Sequence, residues 1–448
     1  MTRRVPDWVP NAVFYQIFPD RFRRGAEVWD IDPKRPADRK PCGGDLAGIR
    51  AAIPYLSNLG INALYLTPIF HASSYHKYDT IDYFSIDPTF GDNAEFRELV
   101  AALHDRGIRI ILDGVFNHCS DRHPFFRDAA EKGPASEYWD WFTIDGDRIV
   151  TDPEPNYTRW AGVRTMPEWN HRNPVAAEYL LSVVRLWIEE YSIDGWRLDT
   201  TEYLPPDFVR EIYRTARRIS PEIYVLGEVM GLGTPWFKHG ALDGVMHYKL
   251  WEGLTWFLAE ERWDAPSFAH SLQAHWHSYP EDGNFGSYTL ISSHDQQRLL
   301  TACGGDIARL RLALAFHLTF PGAPAIYYGD EIGMEGGEDP DNRRCFPWDE
   351  RHWNRNLLDE VQGLIGLRKR EAALRTGKIR VLDASGRFLS YERTLGSDRF
   401  VVGINAERGE EAPLRPTEGA WEDTATGEQA RGDRSVPALS YRILKRVG

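Results

Sequence analysis

Short apolar runs recur along the chain at intervals that suit buried β-strands. Eight of them occupy residues 13–18, 61–66, 108–112, 194–198, 223–227, 245–248, 288–291 and 325–328. Between them the apolar residues take the period of a helix, as in residues 96–103, 179–187, 310–320 and 357–367. Strands that alternate with helices predict parallel βα units, and eight such units close into a (β/α)8 TIM barrel.

Two stretches do not follow this alternation. Residues 118–174 separate the third strand from the next helix, and a connection of that length is expected to fold as a small inserted domain. From about residue 375, short alternating runs predict an antiparallel β-sandwich. The expected organisation is a catalytic barrel at 1–117 and 175–374, an inserted domain B at 118–174 and a C-terminal β domain at 375–448.

The charge balance narrows the partners that the chain can have. Lys and Arg number 53 against 66 Asp and Glu, and the resulting net charge of −13 does not favour nucleic acid or an anionic membrane surface. No apolar run approaches the roughly 20 residues of a membrane-spanning helix. Four cysteines do not indicate a disulfide framework, and the first residues do not resemble a signal peptide, so we expect a cytoplasmic protein. The aromatic content of 13% fits a large core and also a pocket that stacks sugars.

Acidic residues stand at or just after the ends of four predicted strands. Side chains at the carboxyl ends of barrel strands face the active-site side of the fold. Asp113 ends the third strand, and Asp199, Glu228 and Asp295 follow strands four, five and seven. Each alone could cap a helix, but together they would converge on one cavity. Crowded carboxylates separate in pKa, and an ionised nucleophile beside a proton-donating acid is the arrangement of a glycosidase.

Basic and imidazole side chains accompany these acids. Arg197 lies two residues before Asp199 on the same strand, so the two side chains share a face. A surface ion pair is the alternative, and the flanking tryptophan argues against it. His118 follows the third strand and His294 precedes Asp295; each could be structural, but at one rim they suit hydrogen bonds to sugar hydroxyls. The sequence contains no zinc-binding histidine spacing and no phosphate-binding glycine loop.

The segments around these residues resemble the α-amylase superfamily, glycoside hydrolase family 13. The motifs that carry the resemblance are Asp113-Gly-Val-Phe-Asn-His118, Gly195-Trp-Arg-Leu-Asp199, Gly227-Glu228-Val229 and Ser293-His294-Asp295. The similarity extends from about residue 6 to residue 348. It implies a (β/α)8 barrel and a hydrolase that retains the anomeric configuration of its substrate.

The resemblance also implies a role for each candidate residue. Asp199 would be the nucleophile, Glu228 the general acid and base, and Asp295 the stabiliser of the transition state. In a retaining enzyme the carboxyl groups of the first two lie about 5–5.5 Å apart. The other candidates would bind the sugar that is cleaved, with Tyr78 as an aromatic platform. They are Tyr78, Asp79, His118, Arg197, His294, Asp339 and Arg343.

Within the family, the chain looks like the cyclomaltodextrinase, neopullulanase and maltogenic amylase group, for example at His76-Lys77-Tyr78-Asp79. That group carries an additional N-terminal β domain used in dimerisation. Here the first predicted barrel strand already lies at residues 13–18. The usual dimer is therefore not expected, and a monomer is compatible with the sequence. Residues 200–203, 229–231 and 296–298 differ from the group's usual ones, near the expected position of the leaving sugar. The balance between hydrolysis and sugar transfer therefore stays open.

Calcium is not expected. The family's principal calcium site uses an asparagine at position 117 and a histidine four residues after the nucleophile, and that second position is Tyr203. The group's alternative calcium loop near the N-terminus is not evident, although Asp30 and Asp32 keep it as an alternative. We therefore expect no metal and no other cofactor.

Together these features predict a hydrolase of α-glucosidic bonds in short maltooligosaccharides or cyclodextrins, acting through a covalent glycosyl-aspartate intermediate. One alternative is an exo-acting α-glucosidase, or a glucosyl transferase or isomerase of the same family. Another, from a different class, is an inactive barrel that serves as a binding scaffold. The retained acids Asp199, Glu228 and Asp295 argue against the scaffold.

Overall fold

Eight parallel strands form the centre of the molecule, as the apolar runs predict. The computed structural model describes residues 5–25 and 36–447. In chain order, the first ten strands are β1 (Phe14–Ile17), β2 (Ala63–Leu66), β3 (Phe70–Ala72), β4 (Thr80–Ile86), β5 (Arg109–Gly114), β6 (Gly195–Leu198), β7 (Tyr224–Gly227), β8 (Gly244–Val245), β9 (Tyr288–Leu290) and β10 (Ala323–Tyr327). All except β3 and β4 belong to one sheet, in the order β8-β7-β6-β5-β2-β1-β10-β9. Every pairing in this sheet is parallel.

The sheet curls until its two edge strands meet. Met246, directly after β8, forms a parallel bridge with Tyr288 of β9, and the N–H of His247 donates to the Tyr288 carbonyl at 2.8 Å. All residues of β1, β2, β6 and β7 are buried, as expected for strands covered on both faces. The predicted TIM barrel is therefore confirmed.

Helices surround the barrel, and their starts follow ordinary capping chemistry. Before α4, the Asp92 side chain accepts from the N–H of Glu95, whose side chain accepts in return. The helices are α1 (Pro19–Phe22), α2 (Leu46–Ala51), α3 (Ile53–Leu59), α4 (Asn93–His104), α5 (Pro124–Lys132), α6 (Pro174–Glu189), α7 (Pro206–Ile219), α8 (Thr234–Lys238), α9 (Tyr248–Leu254), α10 (Ala265–Ser278), α11 (Glu281–Gly286), α12 (Leu299–Ala302), α13 (Ile307–Thr319), α14 (Arg355–Arg370) and α15 (Ala372–Thr376). Within the described ranges, none of them has the length and apolar character that a bilayer crossing requires.

Two excursions leave the barrel on the side where its strands end. The antiparallel hairpin of β3 and β4, which the sequence pattern does not predict, lies between β2 and α4. The longer excursion, between β5 and α6, contains α5. Isolated antiparallel bridges hold it, joining His118 to Glu168, Phe142 to Trp169, Ile144 to Tyr157 and Arg159 to Pro167. The limits 118 and 174 of this inserted domain stay predictions.

The C-terminal part is antiparallel, as predicted. Its strands are β11 (Lys378–Ser385), β12 (Phe388–Leu395), β13 (Asp398–Asn405), β14 (Ala412–Leu414), β15 (Ala420–Asp423), β16 (Gln429–Arg431), β17 (Arg434–Val436) and β18 (Ser440–Val447). Six form one sheet, in the order β11-β12-β13-β18-β15-β16, and β14 pairs with β17. A separate apolar cluster that includes Leu414, Trp421 and Val436 joins the two sheets. On the barrel side, the Tyr391 hydroxyl bonds Thr319 of α13 at 2.5 Å.

A disulfide joins Cys42 to Cys345, which are 303 residues apart in the chain. No spacing in the sequence points to this pair, because only the folded barrel brings the two loops together. One disulfide is not a framework, and the sequence analysis does not predict this pair. Cys119 and Cys303 are buried and free.

Gly195, the first residue of β6, generates a prediction about stability. A Cβ there would lie 2.5 Å from the Tyr224 carbonyl oxygen on β7, so Gly195→Ala must push two paired strands apart. We expect the free energy of unfolding to fall by about 1–3 kcal/mol. Gly363 in α14 is the control, because apart from its chain neighbours and the nearby backbone of its own helix, no described atom lies within 4 Å of its Cβ position. Gly363→Ala should raise the free energy of unfolding by about 1 kcal/mol. Denaturant unfolding of both variants checks this, and equal stabilities would contradict it.

Candidate active site

The guanidinium of Arg197 lies among four carboxylates, three at the carboxyl ends of β5, β6 and β7 and a fourth, Asp295, in the segment after β9. Its Nη1 is 2.9 Å from Asp113 Oδ1 and 2.7 Å from Asp199 Oδ1. Its Nη2 is 2.8 Å from Glu228 Oε1 and 3.9 Å from Asp295 Oδ2. The Arg197 side chain is fully buried. The three acids that the sequence predicts to converge therefore surround one positive charge, together with Asp113.

The chain after β6 brings Asp199 and Glu228 close to each other. Thr200 adopts a left-handed backbone conformation with φ of 41°. Its N–H donates to Glu228 Oε2 at 2.6 Å, and its hydroxyl is 3.4 Å from Asp199 Oδ2. Asp199 Oδ1 is held by Arg197, so Oδ2 is the less engaged oxygen. The separation of 5–5.5 Å between the two carboxyl groups stays a prediction.

Burial and charge divide the four acids into two kinds. Burial raises the pKa of Asp199, and it raises the pKa of Asp113 to about 7. The pKa of Glu228 lies well above its usual value, because burial and then the charges of Asp199 and Asp295 outweigh Arg197. Burial also opposes ionisation of Asp295, but nearby His294 and two arginines outweigh it and lower its pKa. The site therefore holds Glu228 as a carboxylic acid beside an ionised Asp295.

His294 links the acids to the aromatic candidate Tyr78. Burial lowers the pKa of His294 to about 3, so the ring is neutral at pH 7. The Gln16 amide nitrogen is 2.6 Å from Nδ1, which assigns the ring proton to Nε2. That nitrogen is 3.2 Å from Asp295 Oδ1 and also contacts the Tyr78 hydroxyl. The Tyr78 ring is parallel to that of His294, with centroids 5.7 Å apart, and its hydroxyl donates to Asp113 Oδ2 at 3.0 Å.

His118 lies at the junction with the inserted domain. Its ring packs against Trp160, with centroids 5.4 Å apart. Burial lowers the pKa of His118 to about 4, so it too is neutral at pH 7. Within the described part of the chain, its buried Nε2 has no hydrogen-bond partner. This nitrogen can therefore serve a bound molecule.

Asp339 and Arg343 extend the cluster on its other side. Arg343 Nη1 is 3.1 Å from Asp339 Oδ1, and its Nη2 is 3.7 Å from Asp295 Oδ1. The same Nη1 donates to the Tyr75 hydroxyl at 3.1 Å. Beside this pair is a cavity of about 430 Å³, lined by Arg39, Pro41, Ser73, Ser74, Tyr75, His76 and Asp339. Asp339 is the one acid that lines this cavity, so the room for a ligand lies beside the Asp339–Arg343 pair.

Asp79 is placed differently from the other candidates. It is buried, and its Oδ1 accepts from the N–H of Ser74 at 3.2 Å and from the Ser74 hydroxyl. These bonds close the turn that carries Tyr78. The contacts of Asp79 in the structure are thus those of a turn-forming residue, and its predicted contact with sugar stays a prediction.

Three residues that contact the acids or His294 are not predicted from the sequence. The Tyr65 hydroxyl donates to Asp113 Oδ2 at 2.6 Å, and the Tyr248 hydroxyl donates to Asp295 Oδ2 at 3.3 Å. Gln16 orients His294, as described above. Gln16 is the one amide in the first apolar run, and that signal could have singled it out. Tyr248 is the last residue of the predicted strand 245–248, but that prediction is wrong for it, because β8 ends at Val245 and Tyr248 begins α9.

Comparison with known proteins identifies the family of the chain. Residues 16–356 match the sequence profile of the α-amylase catalytic domain. The chain belongs to the α-amylase family. It is 43% identical to a cyclomaltodextrinase of Geobacillus thermopakistaniensis, over 98% of this chain and 76% of that protein. An intracellular maltogenic amylase of Bacillus subtilis is 41% identical, over 90% of this chain and 70% of its own length.

Solved structures agree as well. The ligand-free cyclic α-maltosyl-(1→6)-maltose hydrolase of Arthrobacter globiformis superposes with a TM-score of 0.91 at 35% identity, covering 99% of this chain and 100% of that one. The family relationship confirms the predicted enzyme class, an α-amylase-family glycoside hydrolase. It also confirms the resemblance to the cyclomaltodextrinase and maltogenic amylase group.

At the position of the family's principal calcium site, Tyr203 takes the place of the histidine that the resemblance implies. Asn117 Nδ2 is 3.4 Å from Glu168 Oε1, and Tyr203 is exposed. Across residues 5–25 and 36–447, no three His, Cys, Asp or Glu side chains are grouped to hold a metal. Asp30 and Asp32 lie outside the described residues. Independence from calcium stays a prediction.

The charge of Asp295 should set the pH profile. Asp295→Asn removes a negative charge that raises the pKa values of Asp199 and Glu228. Both values should fall, so the acid and alkaline limbs of kcat/KM should move to lower pH, while kcat drops by about 100-fold or more. Asp207→Asn is the control, because Asp207 is exposed on α7 and pairs with Arg210. Hydrolysis of a chromogenic maltoside across the pH range checks this, and limbs that stay in place would contradict it.

Proposed function

We propose that this hydrolase cleaves α-glucosidic bonds in short maltooligosaccharides or cyclodextrins, with Asp199, Glu228 and Asp295 as its working acids. The observation that carries the proposal is the single buried guanidinium of Arg197, which gathers the acids at one end of the barrel. The names of the relatives, a cyclomaltodextrinase and a maltogenic amylase, support the substrate class.

The first step forms a bond between sugar and protein. Glu228, in its acid form, gives its proton to the oxygen of the scissile bond, while Asp199 Oδ2 attacks the anomeric carbon. The bond from that carbon to the leaving oxygen breaks, and the leaving sugar departs as an alcohol. Arg197 keeps Oδ1 of Asp199 occupied, which supports Oδ2 as the attacking atom.

The second step reverses the first with water. Glu228, now a carboxylate, takes a proton from a water molecule whose oxygen attacks the anomeric carbon. The bond to Asp199 breaks, and both acids return to their starting states. Two inversions give net retention, the stereochemical outcome typical of the family.

Asp295 stabilises the positive charge that develops on the sugar in both steps. Its lowered pKa keeps it ionised. Its side chain is 28% exposed, whereas those of Asp199 and Glu228 are 6% and 11% exposed, which supports a position facing the incoming sugar. His118 and His294 would contact sugar hydroxyls as neutral rings.

Sugar transfer is the second candidate function. Five large apolar side chains are exposed in the described residues, and three of them, Tyr203, Met230 and Leu232, follow Asp199 and Glu228 within four residues. The Met230 N–H donates to the Glu202 carboxylate at 2.9 Å, which ties the two segments together. Apolar side chains at the leaving-sugar position would bind a sugar acceptor in preference to water.

The cytoplasmic location stays a proposal. The Bacillus subtilis relative is named an intracellular enzyme, which supports it. The disulfide between Cys42 and Cys345 argues against it, because such bonds persist in oxidising compartments. Fractionation of the producing cells decides the matter, since recovery outside the cytoplasm would refute the proposal.

A time course of products tests the proposed function. The substrates are maltotriose, a cyclodextrin, pullulan, isomaltose and trehalose. We expect shortened sugars from maltotriose, an opened cyclodextrin ring and an α-configured first product by NMR. Asp199→Ala should lower turnover by about 10,000-fold while the protein still folds, as thermal unfolding would show. Rearranged sugars without hydrolysis would favour the transfer reaction, and an undiminished Asp199→Ala variant would refute the mechanism.

A further inference from the structure

Asn342 is a fully buried residue in the short 3₁₀ helix Asp341–Arg343. Its Nδ2 is 2.7 Å from the carbonyl oxygen of His294 and 3.0 Å from that of Gln296. A third carbonyl, that of Ser293, is at 3.4 Å. These oxygens lie on both sides of Asp295 in the chain. One side-chain amide therefore spans the segment that presents the proposed stabiliser.

The main chain of Asn342 is held by hydrogen bonds from two buried side chains. Its main-chain carbonyl accepts from Arg298 Nε at 3.0 Å and from the Tyr327 hydroxyl at 3.3 Å. Arg298 is buried, pairs with Asp330 at 2.9 Å and lies 4.3 Å above the Tyr327 ring. The main chain of Asn342 cannot move without breaking these buried contacts of Arg298, so it gives the side-chain amide a fixed base.

The nitrogen and the oxygen of the Asn342 side-chain amide differ in their hydrogen bonding. Its Oδ1 is buried and has no hydrogen-bond partner among the residues that the structure describes. A buried acceptor without a partner is unfavourable, and an alanine would avoid it. The advantage of asparagine at this position must therefore lie in its N–H donors, which face the carbonyls around Asp295.

The position of Asp295 is less firmly fixed by the sheet and by Arg197 than the positions of Asp199 and Glu228. Asp199 and Glu228 directly follow strands and lie 2.7 and 2.8 Å from Arg197. Asp295 lies five residues beyond the end of β9, and its distance to Arg197 is 3.9 Å. Its position therefore depends on the loop that carries it more than on the sheet.

We propose that Asn342 is a positioning residue, which fixes the main chain on both sides of Asp295 so that its carboxylate faces the sugar in the transition state. The proposal rests on the function proposed above for Asp295. We call the hydrogen bonds from Asn342 to the carbonyls around Asp295 the Asn342 clamp. Arg343, the next residue, adds to this clamp because its Nε donates to the His294 carbonyl at 2.8 Å.

A matched control for this clamp exists in the C-terminal sheet. Asn405 is also fully buried. Its Nδ2 donates to the carbonyls of Glu410, Val436 and Pro437 at 2.9, 3.0 and 3.1 Å. Asn405→Ala removes the same chemical group from an equally buried place without touching the acids.

The experiment compares Asn342→Ala, Asn342→Ser and Asn405→Ala by thermal unfolding and by kcat and KM on maltotriose. Both alanine variants should lower the unfolding midpoint. Only Asn342→Ala should lower kcat, by about 10-fold or more, because small misplacements of a reacting group cost that much. Its KM should stay near that of the wild type. Asn342→Ser keeps one donor, so its kcat should lie between the two.

The following results would overturn the proposal that Asn342 positions Asp295. A wild-type kcat in folded Asn342→Ala, or a raised KM with unchanged kcat, would show that the amide only supports the fold or the ground-state complex. If Asn342→Ala does not fold, the same criterion applies to Asn342→Ser. An inactive Asp199→Ala beside a fully active Asn342→Ala rejects the positioning role alone. An active Asp199→Ala rejects the proposed function itself.

Discussion

One buried positive charge, that of Arg197, is the interaction on which the acidic end of the barrel depends. A carboxylate buried without a cation or hydrogen-bond donors would be strongly unfavourable. The register of the sheet puts Asp113 of β5 directly beside Arg197 of β6, and Leu226 of β7 on its other side. Glu228 follows two residues later. The pairing of three strands thus decides which acids share the guanidinium.

The cluster holds more acids than cations, and this imbalance gives the acids different properties. Arg197 cannot neutralise four carboxylates, so protons remain on the most buried and most crowded ones. Glu228 keeps a raised pKa, whereas Asp295, the most exposed of the four acids and 3.7 Å from Arg343, keeps a lowered one. A proton donor and an ionised partner therefore follow from burial and charge.

The barrel can be predicted from the sequence because each buried strand shows as a short apolar run within the chain. Strands covered on both faces must be apolar throughout, and runs such as 61–66 show this directly. Acids at strand ends can also be read from the chain. Contacts between distant loops leave no local signal, which is why Asn342, Tyr248 and the disulfide of Cys42 are found only in the structure. The roles of individual residues come from family resemblance and not from periodicity.

Mass spectrometry of a Glu228→Gln variant incubated with α-maltosyl fluoride tests the central claim most directly. Fluoride leaves without an acid, so Asp199 can still attack, whereas release by water is slowed without the base. The account predicts one maltosyl group on the peptide that contains Asp199. A maltosyl group on another residue, or fluoride release with no adduct at early times, would contradict it.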